Sequence, residues 1–315
     1  MSLSTCVVIP SYNHERFIGE AVESVLSQTT RPDQIVVIDD GSTDNTREVL
    51  RRFSSTDVVV HTEENRGAHA AITRGIDETS ADLIFILDSD DRFHPERVSR
   101  FVDLFESKHD LALAGSWLDV IDEKGRTLDL KKAWKNLEPW PVADRSLTFL
   151  ATEDARGNLL QGNYLASTSN FVFRRAIWER YRPFRPLRYA HDWDFALRVA
   201  CREEIAVLPE PLVAYRVHRG NTIRENQLAM EFEVMWVMAA HLLEFLSESN
   251  AAGSDGGARR DLLSRTLHSV QTFGRDRLFW LMVALANRGP AGAEEFLALL
   301  DPANPTRRWL TQEMQ

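Results

Sequence analysis

The chain has 315 residues, 43% of them hydrophobic and 27% charged, with a formal net charge of −10 at pH 7. That apolar content can bury one large domain, or a domain with an appendage, and an acidic balance without a long basic block argues against nucleic-acid binding while leaving room for a small diphosphate pocket. The two cysteines, Cys6 and Cys201, lack metal-ligand spacing and read as buried apolar residues; with no signal-peptide pattern and no membrane-length apolar stretch, a cytoplasmic protein is expected.

Cys6-Val7-Val8-Ile9-Pro10 reads as a short strand, followed by the loop Ser11-Tyr12-Asn13 and a helix with Phe17, Ile18, Ala21, Val22, Val25 and Leu26 on one face. Residues 34–38 repeat the pattern, end in Asp39-Asp40-Gly41-Ser42, and enter a helix for which Asn45 and Glu48 form a cap pair. Residues 58–61 are the third strand, after which Glu64-Asn65-Arg66-Gly67 turns into a small-residue helix over 68–78. The apolar run 83–87 then ends in Asp88-Ser89-Asp90-Asp91, three carboxylates among four residues at the carboxyl end of a strand buried on both faces. Crowded like charges need a cation or a hydrogen-bond network, which suggests magnesium or manganese. The competing reading is a solvated loop in which Asp90 or Asp91 caps a helix near His94-Pro95. Alternating strands and helices with short loops predict a mostly parallel sheet that brings Tyr12, Asp39, Asn65 and Asp88 to one rim.

A helix carrying Val98, Phe101, Val102 and Phe105 and a strand over 111–117 look structural. Residues 122–156 show no clean period and are expected to be a loop-rich insertion. Residues 164–174 have strand character, with Ser167, Thr168 and Ser169 either lining a sugar pocket or satisfying backbone groups at a sheet end. His191-Asp192-Trp193-Asp194 opens a helix that continues through Phe195, Leu197, Val199 and Ala200, so its acids sit at a positive helix end. Residues 211–221 are expected to be an edge strand leading to a turn, with His218 either a metal ligand or an ordinary surface histidine. From about Arg224 the pattern changes to long helices with a Gly/Ser/Asp-rich interruption at 247–257, so the expected domains are 1–223 and 224–315. Met235, Trp236, Met238, Leu242, Leu243 and Phe245 are too apolar for a solvated helix. Packing against the first domain or a second copy of the chain is expected, with membrane-surface contact the lesser alternative.

Several separated pieces, in order from Cys6 to Asn221, resemble the family 2 inverting glycosyltransferases with the GT-A fold. They are Val8-Ile9-Pro10-Ser11-Tyr12-Asn13, Ile38-Asp39-Asp40-Gly41-Ser42-Thr43-Asp44, Asn65-Arg66-Gly67, Leu87-Asp88-Ser89-Asp90-Asp91, His191-Asp192-Trp193-Asp194, and Tyr215-Arg216-Val217-His218 with Asn221. The resemblance implies an α/β, Rossmann-like GT-A domain with a C-terminal helical appendage, acting as a metal-dependent hexosyltransferase. It implies that Pro10, Tyr12, Asp39, Asn65, Gly67 and Asp88 bind the nucleotide sugar, with UDP favoured, and that Asp90 and His218 hold Mn2+ or Mg2+. Asp192 is the implied general base, and Thr168, Trp193 and Arg216 are candidate donor or acceptor contacts, with Trp193 equally readable as a core anchor and Arg216 as an ion-pair partner. The implied acceptor is a saccharide or a lipid-linked molecule in polysaccharide or glycoconjugate biosynthesis, reached in the cytoplasm or at the inner face of its membrane.

Two departures stand out. Ala71-Ile72-Thr73 precedes Gly75 where the family often has Ala-Arg-Asn, and His191 replaces a usual glutamate, removing a negative charge beside Asp192. A non-catalytic nucleotide-sugar-binding module is the alternative reading. A nucleotidyltransferase ranks below it, for want of a glycine-rich basic loop after the first strand.

Overall fold

The Val/Ile-rich run Thr5–Ser11 forms β1 and is buried along its whole length, as a strand with a neighbour on each side and helices on its faces must be. The computed structural model describes residues 2–53, 57–136, 154–251, 256–272 and 274–313. β2 (Gln34–Asp39), β3 (Val58–Thr62) and β4 (Leu83–Ile86) join β1 in the parallel order β3-β2-β1-β4. The two-residue β5 (Arg92–Phe93) follows, then β6 (Leu111–Ile121), β7 (Thr127–Lys131), β8 (Val172–Arg174) and β9 (Glu204–Arg216). β8 lies antiparallel between β4 and β6, β9 runs parallel to β6, and β5 and β7 add antiparallel flanks.

The helices Ile18–Leu26, Ala68–Asp77 and Arg97–Ser107 are amphipathic and bury one stripe each. Ala71, Ile72, Gly75 and Ile76 form the buried stripe of the second of these, so the departure at 71–73 falls largely on a core face. Gly75 is required there because a Cβ would collide with Val8 and stand 3.2 Å from Ile38.

Several local expectations change. Asn45 makes no side-chain cap; Asp44 Oδ1 accepts the Thr46 N–H at 3.0 Å instead, and Glu48 pairs with Arg51. Neither Asp90 nor Asp91 caps a helix, since β5 intervenes and the next helix begins at Arg97 after Glu96. Within 164–174 only β8 is a strand, preceded by a 3-10 turn at Thr168–Asn170. β9 is not an edge strand, because it lies between β6 and β5. β7 and a 3-10 turn at Ala133–Lys135 occupy the start of the expected loop-rich insertion; its 137–153 portion, like 252–255 of the interruption at 247–257, lies outside the described residues.

The chain divides into two compact units. Met1–Trp140, Leu165–Phe184 and Glu203–His218 form the first, which contains the whole sheet. The second gathers Pro141–Tyr164, Arg185–Arg202 and Arg219–Gln315, so the helices Ala155–Gln161 and His191–Ala200 belong with the long C-terminal helices. Both pack on the helix Gln227–Ala251, as do the helices Gly256–Thr272 and Asp276–Ala286, and Met235, Trp236, Met238, Leu242 and Phe245 are buried while Leu243 is exposed. Trp236 stacks on Phe296 with centroids 4.7 Å apart and donates its indole N–H to the Phe296 carbonyl. Among the described residues no helix is long and apolar enough to cross a membrane.

Candidate functional site

The loops that leave β1 and β2 are stitched together before any ligand is considered. Asn13, held at φ 54°, accepts the Thr43 N–H at 2.8 Å and donates its own N–H to Ser42 Oγ at 2.9 Å. The His14 N–H donates to Thr46 Oγ1 at 3.0 Å. Asp39 is fully buried and accepts the Ser42 N–H and the Arg47 guanidinium, the latter at 2.7 Å. Asp40, next in the chain, accepts the N–H groups of Arg66 and Gly67, each at 2.8 Å. Burial raises the Asp40 carboxyl above its ordinary value, and those two amides work against the rise. Gly41, at φ 75°, lets this turn close on the next loop, since a Cβ would stand 2.8 Å from the Asn65 nitrogen. Tyr12 and Asn65 remain exposed on these loops, and Pro10 is buried in β1.

The acidic turn after β4 takes its donors from the hydroxyl-bearing turn before β8. Asp88 accepts Ser167 Oγ at 2.8 Å and Thr168 Oγ1 at 2.7 Å, and its N–H donates to Ser169 Oγ at 2.9 Å. Asp91 is buried and accepts Ser169 Oγ at 2.6 Å and the Arg216 N–H at 2.7 Å. Burial, followed by the charges of Asp90 and Asp88, pushes its carboxyl well above the usual range. Arg216, itself buried, donates from Nε to the Asp90 carbonyl at 2.7 Å and from Nη2 to Glu20 at 2.7 Å, with its guanidinium 4.8 Å over the Phe17 ring. Thr168 and Arg216, the candidate ligand contacts in this unit, therefore serve the acidic turn directly.

Asp90 meets His218 across 128 residues, Oδ2 to Nε2 at 2.9 Å. Burial alone would raise the Asp90 carboxyl, but the His218 hydrogen bond and the charges of His14 and His218 outweigh it and hold the group below its ordinary value. His14 completes this cluster, with one ligand atom from each of the three residues within 4.8 Å of the others. A carboxylate beside two imidazoles is a donor set that fits a divalent cation. Sequence reasoning missed His14 and Asp40. The signal was present in both cases, since Asp40 directly follows Asp39 at the tip of β2 and His14 stands two residues after Tyr12 in the loop that leaves β1.

In the second unit, Asp192 opens the helix His191–Ala200 and is mostly buried. Its Oδ2 accepts the Asn163 amide at 2.7 Å and its Oδ1 accepts the Trp193 N–H at 2.7 Å. Trp193 is buried and donates its indole N–H to the Leu159 carbonyl at 2.7 Å, which gives it the packing of a core anchor. Asp194 is fully buried among Arg185 at 2.7 Å, Arg198 at 3.0 Å and His241 at 3.0 Å. Burial opposes its ionisation, yet the His241 hydrogen bond and the charges of Arg198, His241 and Arg185 hold its carboxyl far below the usual range.

The family model for glycosyl transferase family 2 matches residues 6–182. An uncharacterized glycosyltransferase of Nostoc sp. is 28% identical over 221 residues, 68% of this chain and 65% of the relative. One of Haemophilus influenzae is 28% identical over 227 residues, 69% of this chain and 66% of the relative. The chain thus spans just under two thirds of the length of these two relatives. Among solved structures, S. aureus TarS 1–349 in complex with UDP superposes with a TM-score of 0.61 at 18% identity, covering 95% of this chain and 81% of that one. The mannosyltransferase PcManGT from Pyrobaculum calidifontis, in complex with GDP-Man and Mn2+, gives 0.55 at 18% identity, covering 99% and 84%. Glucosyl-3-phosphoglycerate synthase from Mycobacterium tuberculosis, in complex with Mn2+, UDP and phosphoglyceric acid, gives 0.51 at 22% identity, covering 78% of each chain. These likenesses show a GT-A fold.

Proposed function

We propose that this chain, which belongs to glycosyl transferase family 2, moves a sugar from a nucleotide diphosphate sugar, UDP-linked by preference, to a hydroxyl of a saccharide or lipid-linked acceptor, with inversion at the anomeric carbon. The observation that carries this reading is the meeting of Asp90 and His218 at 2.9 Å beyond the carboxyl end of a buried parallel strand. Solved proteins of the same fold that hold UDP, or GDP-Man with Mn2+, add support.

A divalent cation, Mn2+ or Mg2+, would be held by Asp90 and His218 and would neutralise charge developing on the leaving diphosphate. The other residues bind and orient. The exposed Tyr12 ring offers a stacking face for the base, and the buried Asp39, held by Arg47 and the Ser42 N–H, fixes the turn that would meet base or ribose. Pro10, Asn65 and Gly67 shape the loops beside it, with Gly67 held in place by Asp40. Asp88, its carboxylate fixed by Ser167 and Thr168, would lie near the ribose. Thr168, Trp193 and Arg216 act through the carboxylates they support. Asp192, oriented by Asn163, accepts the acceptor hydroxyl proton as the new glycosidic bond forms and the bond to the diphosphate breaks.

Thermal unfolding with UDP-, GDP- and dTDP-sugars, with and without Mn2+, tests the binding half of this reading, because a ligand selective for the folded state raises the apparent Tm. Metal-dependent stabilisation by UDP-sugars is expected for the wild type and its loss for Asp90→Ala. No metal-dependent shift with any donor would reject the reading. Slow metal-dependent release of nucleotide from the donor supports an enzyme, whereas tight binding without turnover on any acceptor would favour a binding module.

A further inference from the structure

We propose that His14 is a third protein ligand of the cation, which makes the site a two-imidazole, one-carboxylate set that prefers Mn2+ to Mg2+. The inference rests on the reading that Asp90 and His218 hold a divalent ion, and it concerns which ion and through how many ligands. Metal–ligand bonds of about 2.1 Å place adjacent ligands of an octahedral ion about 3 Å apart and opposite ones about 4.2 Å apart. The 2.9 Å separation of Asp90 Oδ2 and His218 Nε2 matches an adjacent pair. The third donor, on His14, stands within 4.8 Å of both.

The surroundings of His14 are those of an oriented ligand. Its Nδ1 is engaged by Ser89 Oγ at 2.7 Å, which leaves Nε2 as the nitrogen for the ion. Ser89, the middle residue of Asp88-Ser89-Asp90, thereby acquires a role that its place between two acids does not suggest. The ring is further set by its neighbours, standing edge-on to His218 with centroids 5.8 Å apart and edge-on to Phe17 at 6.2 Å. The backbone is pinned as well, since the His14 N–H is held by Thr46 and its carbonyl accepts the N–H groups of Phe17 and Ile18 at the start of the first helix. A histidine kept only to bond Ser89 would not need to stand beside a second imidazole and a carboxylate.

Magnesium takes oxygen ligands and sheds water reluctantly, while imidazole suits the later divalent ions and affinity on a mixed nitrogen and oxygen site rises from manganese to cobalt. Two imidazoles therefore bias the site away from Mg2+, whereas one among water and phosphate oxygens does so weakly.

The test is calorimetric titration of the full chain with Mn2+, Co2+ and Mg2+ in saturating UDP, together with electron spin-echo measurement of nitrogen couplings to bound Mn2+. The wild type is expected to bind in the order Co2+, Mn2+, Mg2+ and to show two imidazole couplings. His14→Ala should lose one coupling and weaken Mn2+ by about 10- to 100-fold, the range seen even for the loss of a ligand's hydrogen-bond partner, while Mg2+ changes far less. His14→Gln, which can still hydrogen-bond Ser89, keeps the test available if the alanine variant does not fold, and it should lose the same coupling. Unchanged couplings and an unchanged Mn2+/Mg2+ ratio in both variants would overturn the role of His14 and leave Asp90 and His218 in place. Failure of the wild type to bind any of the three ions would overturn this inference and the cation reading together.

Discussion

Each of the two units carries a cluster of carboxylates at the end of a secondary-structure element, and the clusters are compensated by different chemistry. In the first unit Asp88 and Asp91 are satisfied by the hydroxyls of Ser167, Thr168 and Ser169 and by a backbone N–H, and Asp90 turns toward two imidazoles. In the second, Asp194 is enclosed by Arg185, Arg198 and His241. Hydroxyl donors, such as Ser167 and Thr168 on Asp88, satisfy lone pairs without cancelling charge. Fixed arginines cancel it, and Asp194 becomes a fastening for the helix on which Asp192 sits. Similar sequence patterns, acids two residues apart at an element end, thus go with hydroxyl-bound carboxylates in one place and with an arginine-bound tie beside Asp192 in the other.

The sharpest way to break this contrast is Asp192→Asn, which keeps shape and removes the proposed proton acceptor. Transfer is expected to fall about 100- to 10,000-fold, while calorimetric affinity for UDP with Mn2+ stays at the wild-type value. Turnover equal to the wild type would remove Asp192 as the base.

Asp194→Asn should leave activity limited mainly by stability, because it strips two arginines of their shared counter-charge at a cost of about 3–5 kcal/mol, read as a lowered Tm. The pH dependence gives the sign. A carboxyl whose folded value is depressed contributes stability that is complete above its ordinary value of 3.8 and is lost as pH falls from there toward the folded value. The Tm of the wild type should therefore drop more steeply than that of Asp194→Asn below about pH 4.5. Parallel curves would take the ionic tie out of the account.

The smallest expected effect sharpens the description of the hydroxyl turn. Thr168→Val leaves Asp88 short of a donor at a cost of about 1–3 kcal/mol in chemical denaturation, and Thr168→Ser should restore most of it. A valine variant as stable as the wild type would mean that Ser167 alone suffices for Asp88.

Much of the first unit was legible in the chain itself. β1, β2, β3 and β4 announce themselves through short apolar runs bounded by loop residues, and the acids at the tips of β2 and β4 lie where a parallel sheet presents ligands. The helix His191–Ala200 was legible for the same reason, its apolar residues recurring at helical spacing. Less was legible where tertiary contacts override local pattern. Residues 164–171 look like a strand, yet the hydroxyls of 167–169 are drawn onto Asp88 and Asp91 and the backbone turns to let them reach. β9 ends in a solvent-like pattern and is nevertheless held between β6 and β5.

The sequence alone determined where the strands run and which of them end in acid, since strand period and turn chemistry act over a few residues. Only the tertiary structure decided what each acid does. Ser89 reaches His14 across 75 residues, Thr168 reaches Asp88 across 80, and His218 reaches Asp90 across 128. A carboxylate's proton affinity and its capacity to take a cation depend on the donors and charges within a few ångströms of it. Those neighbours are assembled only when segments distant in the chain pack together.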